Sequence, residues 1–126
     1  MTEQVRILHV DDDPKFAEMT GEFLQQEYDA FDTVSETRAT DALKSLSDTG
    51  SSIDCIVSDY ALPEMDGLEF LEAVRAEYPD LPFILFTGQG NEAIASEAIS
   101  AGVTDYLQKQ TGTEQYELLS NRITNA

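Results

Sequence analysis

Short apolar runs alternate with longer amphipathic segments along the whole chain. The runs occupy residues 5–10, 31–34, 55–58, 82–86 and 105–107. Runs of this length, bounded by polar residues, predict five β-strands. After each run, apolar side chains recur every three or four residues, and this spacing predicts an amphipathic α-helix after every strand.

Each predicted helix carries one apolar stripe. The five stripes are Phe16, Met19, Phe23 and Leu24; Ala39, Ala42, Leu43 and Leu46; Leu68, Leu71 and Val74; Ile94, Ala98 and Ile99; and Tyr116, Leu119 and Ile123. Pro14 suits the first turn of a helix, where a missing N–H costs little. Asn91 can cap the fourth helix, and Gly102 can end it.

The regular alternation of strands and helices predicts a parallel sheet that is covered on both faces. The first, third and fourth runs are the most apolar and are therefore the central strands of a doubly wound α/β fold. In such a sheet the functional crevice lies at the carboxyl ends of the strands. No linker or low-complexity tract interrupts the pattern, so we expect one domain over residues 1–126.

Length and composition are those of a folded intracellular domain. The chain has 126 residues, of which 41% are hydrophobic. No apolar run approaches the roughly 20 residues needed to cross a bilayer, and the N-terminus does not resemble a secretory signal. Cys55 is the single cysteine, which leaves no internal disulfide. We therefore expect a cytoplasmic protein without a membrane anchor.

The charge of the chain is strongly negative. There are 25 acidic and 7 basic residues, giving a net charge of −18. This surface would repel nucleic acid, so we expect no nucleic-acid binding by this domain. Self-repulsion also destabilises the fold unless salt screens it, and at about 1 M salt the Debye length shrinks to roughly 3 Å. The composition favours a halophilic archaeon as the source, although an acidic protein of an ordinary cell also fits.

Chemically matched side chains follow four of the predicted strands. They are Asp11, Asp12 and Asp13 after the first strand, Asp59 after the third, Thr87 after the fourth and Lys109 after the fifth. Taken singly, each has a simpler explanation, since Asp13 can cap a helix and the others can be solvated. Because the carboxyl ends of parallel strands meet at one edge, we expect these side chains to lie close together.

This set of residue types indicates phosphoryl chemistry. Neighbouring carboxylates repel unless a cation bridges them, and Mg²⁺ is commonly held by one or two carboxylates together with phosphate oxygens. An aspartate can also act as a nucleophile and form an aspartyl phosphate. An ammonium and a hydroxyl can then bind the remaining phosphoryl oxygens.

Four motifs together resemble the receiver domain of two-component response regulators. They are "ILHVDDDP", "CIVSDYALPEMDG", "FILFTGQG" and "AGVTDYLQK", and the likeness extends over about residues 5–124. The resemblance implies a flavodoxin-like sheet with strand order 2-1-3-4-5 and five helices. It also implies a signalling domain, rather than an enzyme, that accepts a phosphoryl group from a histidine kinase or a phosphotransfer protein.

The resemblance assigns a role to each residue of the site. It implies that Asp59 is the phosphoacceptor. The implied Mg²⁺ ligands are Asp11 (through water), Asp12, Asp59 and the backbone carbonyl of Ala61. The implied switch and phosphate-binding residues are Thr87, Lys109 and Tyr106, and the positions that tune phosphate lifetime are Ala61 and Gln89.

The family also implies what surrounds the site. Its output face is formed by the fourth helix, the fifth strand and the fifth helix. We expect a monomer or a weak dimer that assists its own phosphorylation and dephosphorylation. An output domain outside this chain is consistent with its length, because none fits within 126 residues.

One position departs from the family. The lysine is usually followed by a proline across a cis peptide bond, whereas this chain has Lys109-Gln110. A cis bond before a residue other than proline costs about 2.5–4 kcal/mol. We therefore predict a trans bond, with Lys109 still reaching the site.

Two other functions remain open from the residues. A magnesium-dependent phosphohydrolase of the haloacid-dehalogenase type uses similar groups, but "DDDPK" lacks the threonine of its D-x-D-x-T motif. A docking module with a vestigial site would not need the complete acidic, hydroxyl and ammonium set. We interpret His9 and Cys55, which lie within predicted strands, as structural.

Overall fold

The computed structural model describes residues 4–49, 52–88, 91–110 and 112–126. It contains one parallel sheet in the order β2-β1-β3-β4-β5. The strands are β1 (Val5–Val10), β2 (Phe31–Glu36), β3 (Cys55–Ser58), β4 (Phe83–Thr87) and β5 (Asp105–Gln108). All five predicted strands are confirmed, and β2 runs two residues further than its apolar run.

A helix follows every strand. The helices are α1 (Pro14–Glu27), α2 (Ala39–Thr49), α3 (Gly67–Glu77), α4 (Glu92–Ala101) and α5 (Glu114–Thr124). The predicted doubly wound, flavodoxin-like architecture with strand order 2-1-3-4-5 is thereby confirmed. Among the described residues, no helix combines the length and apolar character needed to cross a membrane.

Local sequence signals set the helix ends as predicted. Pro14 lies in the first turn of α1, and the Asp13 side chain accepts hydrogen bonds from the first backbone N–H groups of that helix. The Asn91 side chain accepts from the N–H of Ile94 at 2.9 Å at the start of α4. Gly102 ends α4 with φ 94°, a left-handed conformation that glycine adopts without steric cost.

The sheet separates two apolar layers, because successive strand residues point to opposite faces. One layer joins the sheet to α2, α3 and α4, and includes Leu8, Val10, Ala42, Leu46, Ile56, Phe70, Leu71, Val74, Phe83, Leu85 and Ala98. The other joins it to α1 and α5, and includes Ile7, Leu24, Phe31, Val57, Ile84, Phe86, Leu107, Leu119 and Ile123. Every residue of β3 and β4 is buried, as expected for central strands.

Two predicted stripe residues face solvent instead of the core. Met19 is 44% exposed, because α1 turns Ala17, Thr20 and Leu24 to the sheet. Ile99 is 71% exposed, although Ala98 beside it is fully buried. Both predictions were wrong because apolar character alone does not show which of two neighbouring helix positions meets the sheet.

Candidate functional site

Two buried carboxylates extend the central strands at the carboxyl edge of the sheet. The N–H of Asp11 donates to the carbonyl of Glu36 at 3.1 Å, and the N–H of Asp59 donates to the carbonyl of Val10 at 2.9 Å. These bonds continue the sheet by one residue past β1 and β3. Asp11 is 1% and Asp59 7% exposed, so the sheet itself holds two acidic side chains side by side.

Lys109 bridges these two carboxylates. Its Nζ lies 2.6 Å from Asp11 Oδ2 and 2.9 Å from Asp59 Oδ2. The Lys109–Gln110 peptide bond is trans. The predicted combination of a trans bond and a lysine that still reaches the site is confirmed.

Asp12 completes an acidic group at the mouth of the site. One carboxylate oxygen from each of Asp11, Asp12 and Asp59 lies within 4.8 Å of the others, and Asp12 is the exposed member. With all three carboxylates ionised, Lys109 offsets one of three negative charges and leaves two. A hard divalent cation matches both this charge and these oxygen donors, so the residues fit Mg²⁺.

Burial and charge act against each other at these groups. Burial alone would lower the pKa of Lys109, but its hydrogen bonds to Asp11 and Asp59 outweigh burial and raise that pKa. Burial raises the pKa of Asp11 despite the bond from Lys109. Lys109 is therefore a cation at neutral pH, and further positive charge beside Asp11 would favour its carboxylate form.

The loop after Asp59 is built around its carboxylate. Asp59 Oδ1 accepts from the N–H of Tyr60 at 2.7 Å and from that of Ala61 at 3.4 Å. A Cβ on Gly67 would lie 2.4 Å from the backbone oxygen of Asp59, so only glycine fits there. Sequence reasoning placed Gly67 in a turn after Asp59 and missed this close approach, because sequence spacing does not show how the loop folds back on the Asp59 backbone.

Thr87 and Tyr106 lie on the neighbouring strands. Thr87 is the last residue of β4 and is fully buried, and its carbonyl accepts from the N–H of Lys109 at 3.0 Å. Tyr106 pairs with Leu85 across β4 and β5 and is half-buried. Its hydroxyl is buried without a hydrogen-bond partner in the described part of the chain, and burial raises its pKa. Gln89 lies outside the described residues.

An aromatic ring also contacts Lys109. The ring centroid of Phe16 lies 4.2 Å from Lys109 Nζ, close enough for a cation–π contact. Phe16 also neighbours the rings of Phe86 and Tyr116, with centroids 6.0 and 6.3 Å away. Sequence reasoning placed Phe16 in a core stripe and missed this contact, because nothing in the local spacing links it to residue 109.

His9 and Cys55 are both buried strand residues, as interpreted from the sequence. Burial, assisted by the charge of Lys109, lowers the pKa of His9 to about 4, so its imidazole is neutral at neutral pH. Burial raises the pKa of the Cys55 thiol to about 12, which leaves almost no reactive thiolate.

Comparison with known proteins gives a consistent result. The sequence profile described as "Response regulator receiver domain" matches residues 7–120. Two-component response regulator ORR24 of Oryza sativa is 33% identical over 111 residues, which are 88% of this chain and 17% of the relative. Transcriptional regulatory protein CitT of Halalkalibacterium halodurans is 30% identical over 124 residues, 98% of this chain and 52% of the relative.

Solved structures share the fold. A response regulator receiver domain protein from Clostridium thermocellum aligns with a TM-score of 0.85 at 24% identity, covering 96% of this chain and 92% of that one. Chemotaxis response regulator CheY4 of Vibrio cholerae aligns with a TM-score of 0.81 at 25% identity, covering 95% and 98%. The chain belongs to the response regulator receiver domain family, of whose larger curated members it spans only a part.

Proposed function

We propose that this chain is phosphorylated on Asp59 within a two-component phosphorelay. Phosphorylation of an aspartate is the standard function of the receiver family to which the chain belongs. The observation that supports the assignment to Asp59 is its position directly after the central strand β3, beside the other carboxylates of the acidic group and Lys109 Nζ, which lies 2.9 Å away.

The transfer step uses the Asp59 carboxylate as nucleophile. One of its oxygens attacks the phosphorus of a phosphohistidine on a histidine kinase or a phosphotransfer protein. A P–O bond forms at Asp59, the P–N bond breaks, and its electron pair leaves with the donor imidazole. The chemistry requires mainly alignment of the reacting groups and positive charge beside the phosphoryl oxygens. The hydrogen bond from the Asp59 N–H to Val10 holds the backbone of Asp59 at the carboxyl edge of the sheet.

The acidic group would hold Mg²⁺ during this step. Asp12 and Asp59 would bind it directly, Asp11 through water, and Ala61 through its backbone carbonyl. When bound, Mg²⁺ supplies positive charge to the phosphoryl oxygens. Lys109 binds another of these oxygens, and the Thr87 hydroxyl donates to a third.

Phosphorylation of Asp59 would then change the conformation of side chains on β4 and β5. Thr87 moves towards the new negative charge, and Tyr106 packs into the space behind it. Among the described residues, the buried hydroxyl of Tyr106 has no hydrogen-bond partner, which supports this role because no hydrogen bond has to break when the ring moves. The face formed by α4, β5 and α5 carries the signal. Ala61 and Gln89 would tune how long the phosphate lasts.

The setting of the domain follows from the same proposal. Residues 1–126 form one cytoplasmic receiver domain, a monomer or weak dimer that assists its own phosphorylation and dephosphorylation. The chain spans 17% of ORR24 and 52% of CitT, named as a response regulator and a transcriptional regulatory protein. We propose that this chain likewise serves a separate output domain, and that it contacts neither nucleic acid nor membrane itself.

Incorporation of a phosphoryl group from a small acyl phosphate tests the proposal. We expect one phosphoryl group per chain by intact mass, formed only with Mg²⁺ and absent in Asp59→Asn. Asp48→Asn, the same change at an exposed position of α2, should be phosphorylated normally. Labelling that persists in Asp59→Asn contradicts the proposal. Rapid turnover of a phosphomonoester would instead support a phosphohydrolase.

The charge of −18 supports a further part of the proposal, adaptation to high salt. Screening weakens repulsion among exposed carboxylates, so we expect the melting temperature to rise steadily between about 0.1 M and about 1 M KCl. A melting temperature independent of KCl would remove this part of the proposal and leave the phosphorelay function untouched.

A further inference from the structure

The direction in which the Lys109 side chain leaves the backbone depends on the two peptide planes that flank its Cα. The plane before it contains the N–H of Lys109, which donates to the carbonyl of Thr87 at 3.0 Å. The plane after it contains the N–H of Gln110. Because each peptide unit is rigid, holding both planes fixes φ and ψ of Lys109 and therefore the direction in which its Cα–Cβ bond leaves the backbone.

Gln115 holds the second plane. Its Oε1 accepts from the N–H of Gln110 at 3.0 Å, and its Nε2 donates to the carbonyl of Gly112 at 2.9 Å. Gln115 is 8% exposed and lies in the first turn of α5. Both polar ends of its amide are thus used to tie the loop after β5 to a helix that is anchored in the core.

No side-chain cap at the start of α5 duplicates this link. Thr113, the N-cap residue, makes no capping hydrogen bond with its side chain. Gly112 has φ 91°, a left-handed conformation that favours glycine, and its carbonyl accepts from Gln115. Among the described residues of this loop, Gln110 and Gly112 are thus joined to the helix by the Gln115 amide.

The link depends on the residue that distinguishes this chain from the usual lysine-proline pair. Proline has no backbone N–H and could not donate to Gln115. With Gln110, the peptide bond is trans and the N–H is present and bonded. The chain therefore exchanges the rigidity of a proline ring for a hydrogen bond from the Gln110 N–H to a buried side chain.

We propose that Gln115 is the positioning residue for Lys109, and that it sets the rate of Asp59 phosphorylation by holding the Gln110 peptide plane. The inference rests on the proposed function, since it requires Lys109 to act on the phosphoryl group. Gln115 does not touch that group itself. Its effect passes through Lys109 alone, which makes the inference separable by experiment.

The test compares phosphorylation rate constants with a saturating small acyl phosphate and Mg²⁺. Gln115→Met keeps the volume of the side chain and removes both hydrogen bonds. We expect the rate constant to fall roughly ten-fold, as for the loss of a part-buried hydrogen bond, while the affinity for Mg²⁺, measured by calorimetry, stays unchanged. Gln115→Glu keeps an acceptor for the Gln110 N–H and should recover part of the rate.

Two further variants test whether Gln115 acts through the Gln110 backbone and Lys109. Gln110→Ala keeps the N–H and removes only an exposed side chain, so it should phosphorylate like the unmodified protein. In a Lys109→Met background, Gln115→Met should cause no further loss. The inference is overturned if Gln115→Met is phosphorylated as fast as the unmodified protein. It is also overturned if Gln115→Met lowers the rate constant as much in the Lys109→Met background as it does in the unmodified protein. If Lys109→Met is itself phosphorylated at the normal rate, the role of Lys109 fails and this inference with it. If the unmodified protein is not phosphorylated on Asp59 at all, the proposed function fails instead.

Discussion

Helices α3 and α4 cover the same face of the sheet but are held by very different amounts of packing. In α3, five residues are buried, namely Gly67, Leu68, Phe70, Leu71 and Val74. In α4, all of which is described, Ala98 alone is buried, and Ile99 is 71% exposed. Since buried apolar area supplies most of a helix's stability in a protein, α3 is the firmer of the two.

This difference makes α3 the fixed helix beside the site and α4 the helix that the proposed switch requires to shift. The close contact of Gly67 with the backbone of Asp59 makes the start of α3 part of the wall around the phosphoacceptor. α4 follows Thr87 along the chain and has little core to hold it. An element with few buried contacts can shift at low energetic cost, as the proposed output face requires.

The largest expected difference concerns the apolar contacts themselves. Leu71→Ala removes a fully buried side chain from α3 and should lower the free energy of unfolding by about 2–5 kcal/mol. Ile94→Ala in α4 removes a half-buried side chain and should cost less than half as much. Urea unfolding of both variants measures the two losses. Equal losses would mean that α4 is packed as firmly as α3.

A smaller difference is expected at the helix starts. Asp66 accepts from the N–H groups of Leu68 and Glu69, and the Glu69 side chain accepts from the Asp66 N–H in return. Asn91 accepts from one N–H in α4. We expect Asp66→Ala to cost about 1–2 kcal/mol and Asn91→Ala about 0.5–1 kcal/mol by the same unfolding assay. The reverse order would contradict the comparison.

The smallest expected effect is at the exposed apolar residue of α4. Ile99→Ala should change the free energy of unfolding by no more than about 0.5 kcal/mol, because Ile99 is mostly exposed. Thermal melting at matched salt is sufficient to measure this. A loss above about 1 kcal/mol would show that another surface covers Ile99 in solution, as in a dimer.

The architecture could be predicted well because its signals are local. Apolar runs alternate with apolar stripes, and Pro14 and Gly102 mark helix ends. These signals depend only on residues close together in the sequence, and the structure confirms the elements that they predict. The exposure of Met19 and Ile99 could not be predicted in the same way. The rotation of a helix about its axis is set by the sheet beneath it, which a single stripe does not describe.

The contacts of the site likewise fall into those that the sequence predicts and those that it does not. The positions of Asp11, Asp59 and Lys109 followed from strand ends that meet at one edge, and their proximity is observed. The contact of Phe16 with Lys109 and the bond between Gln110 and Gln115 depend on how α1 and α5 pack. Such contacts join residues without a shared motif, so sequence spacing does not reveal them.

The most direct test of the central claim is the phosphorylation rate constant of Lys109→Met, measured with a small acyl phosphate and Mg²⁺ beside Lys44→Met. Lys44 is exposed on α2, so its replacement should leave the rate unchanged. Loss of the charged contact between Lys109 and Asp59 should lower the rate constant at least about ten-fold. Equal rate constants for the two variants would contradict the account.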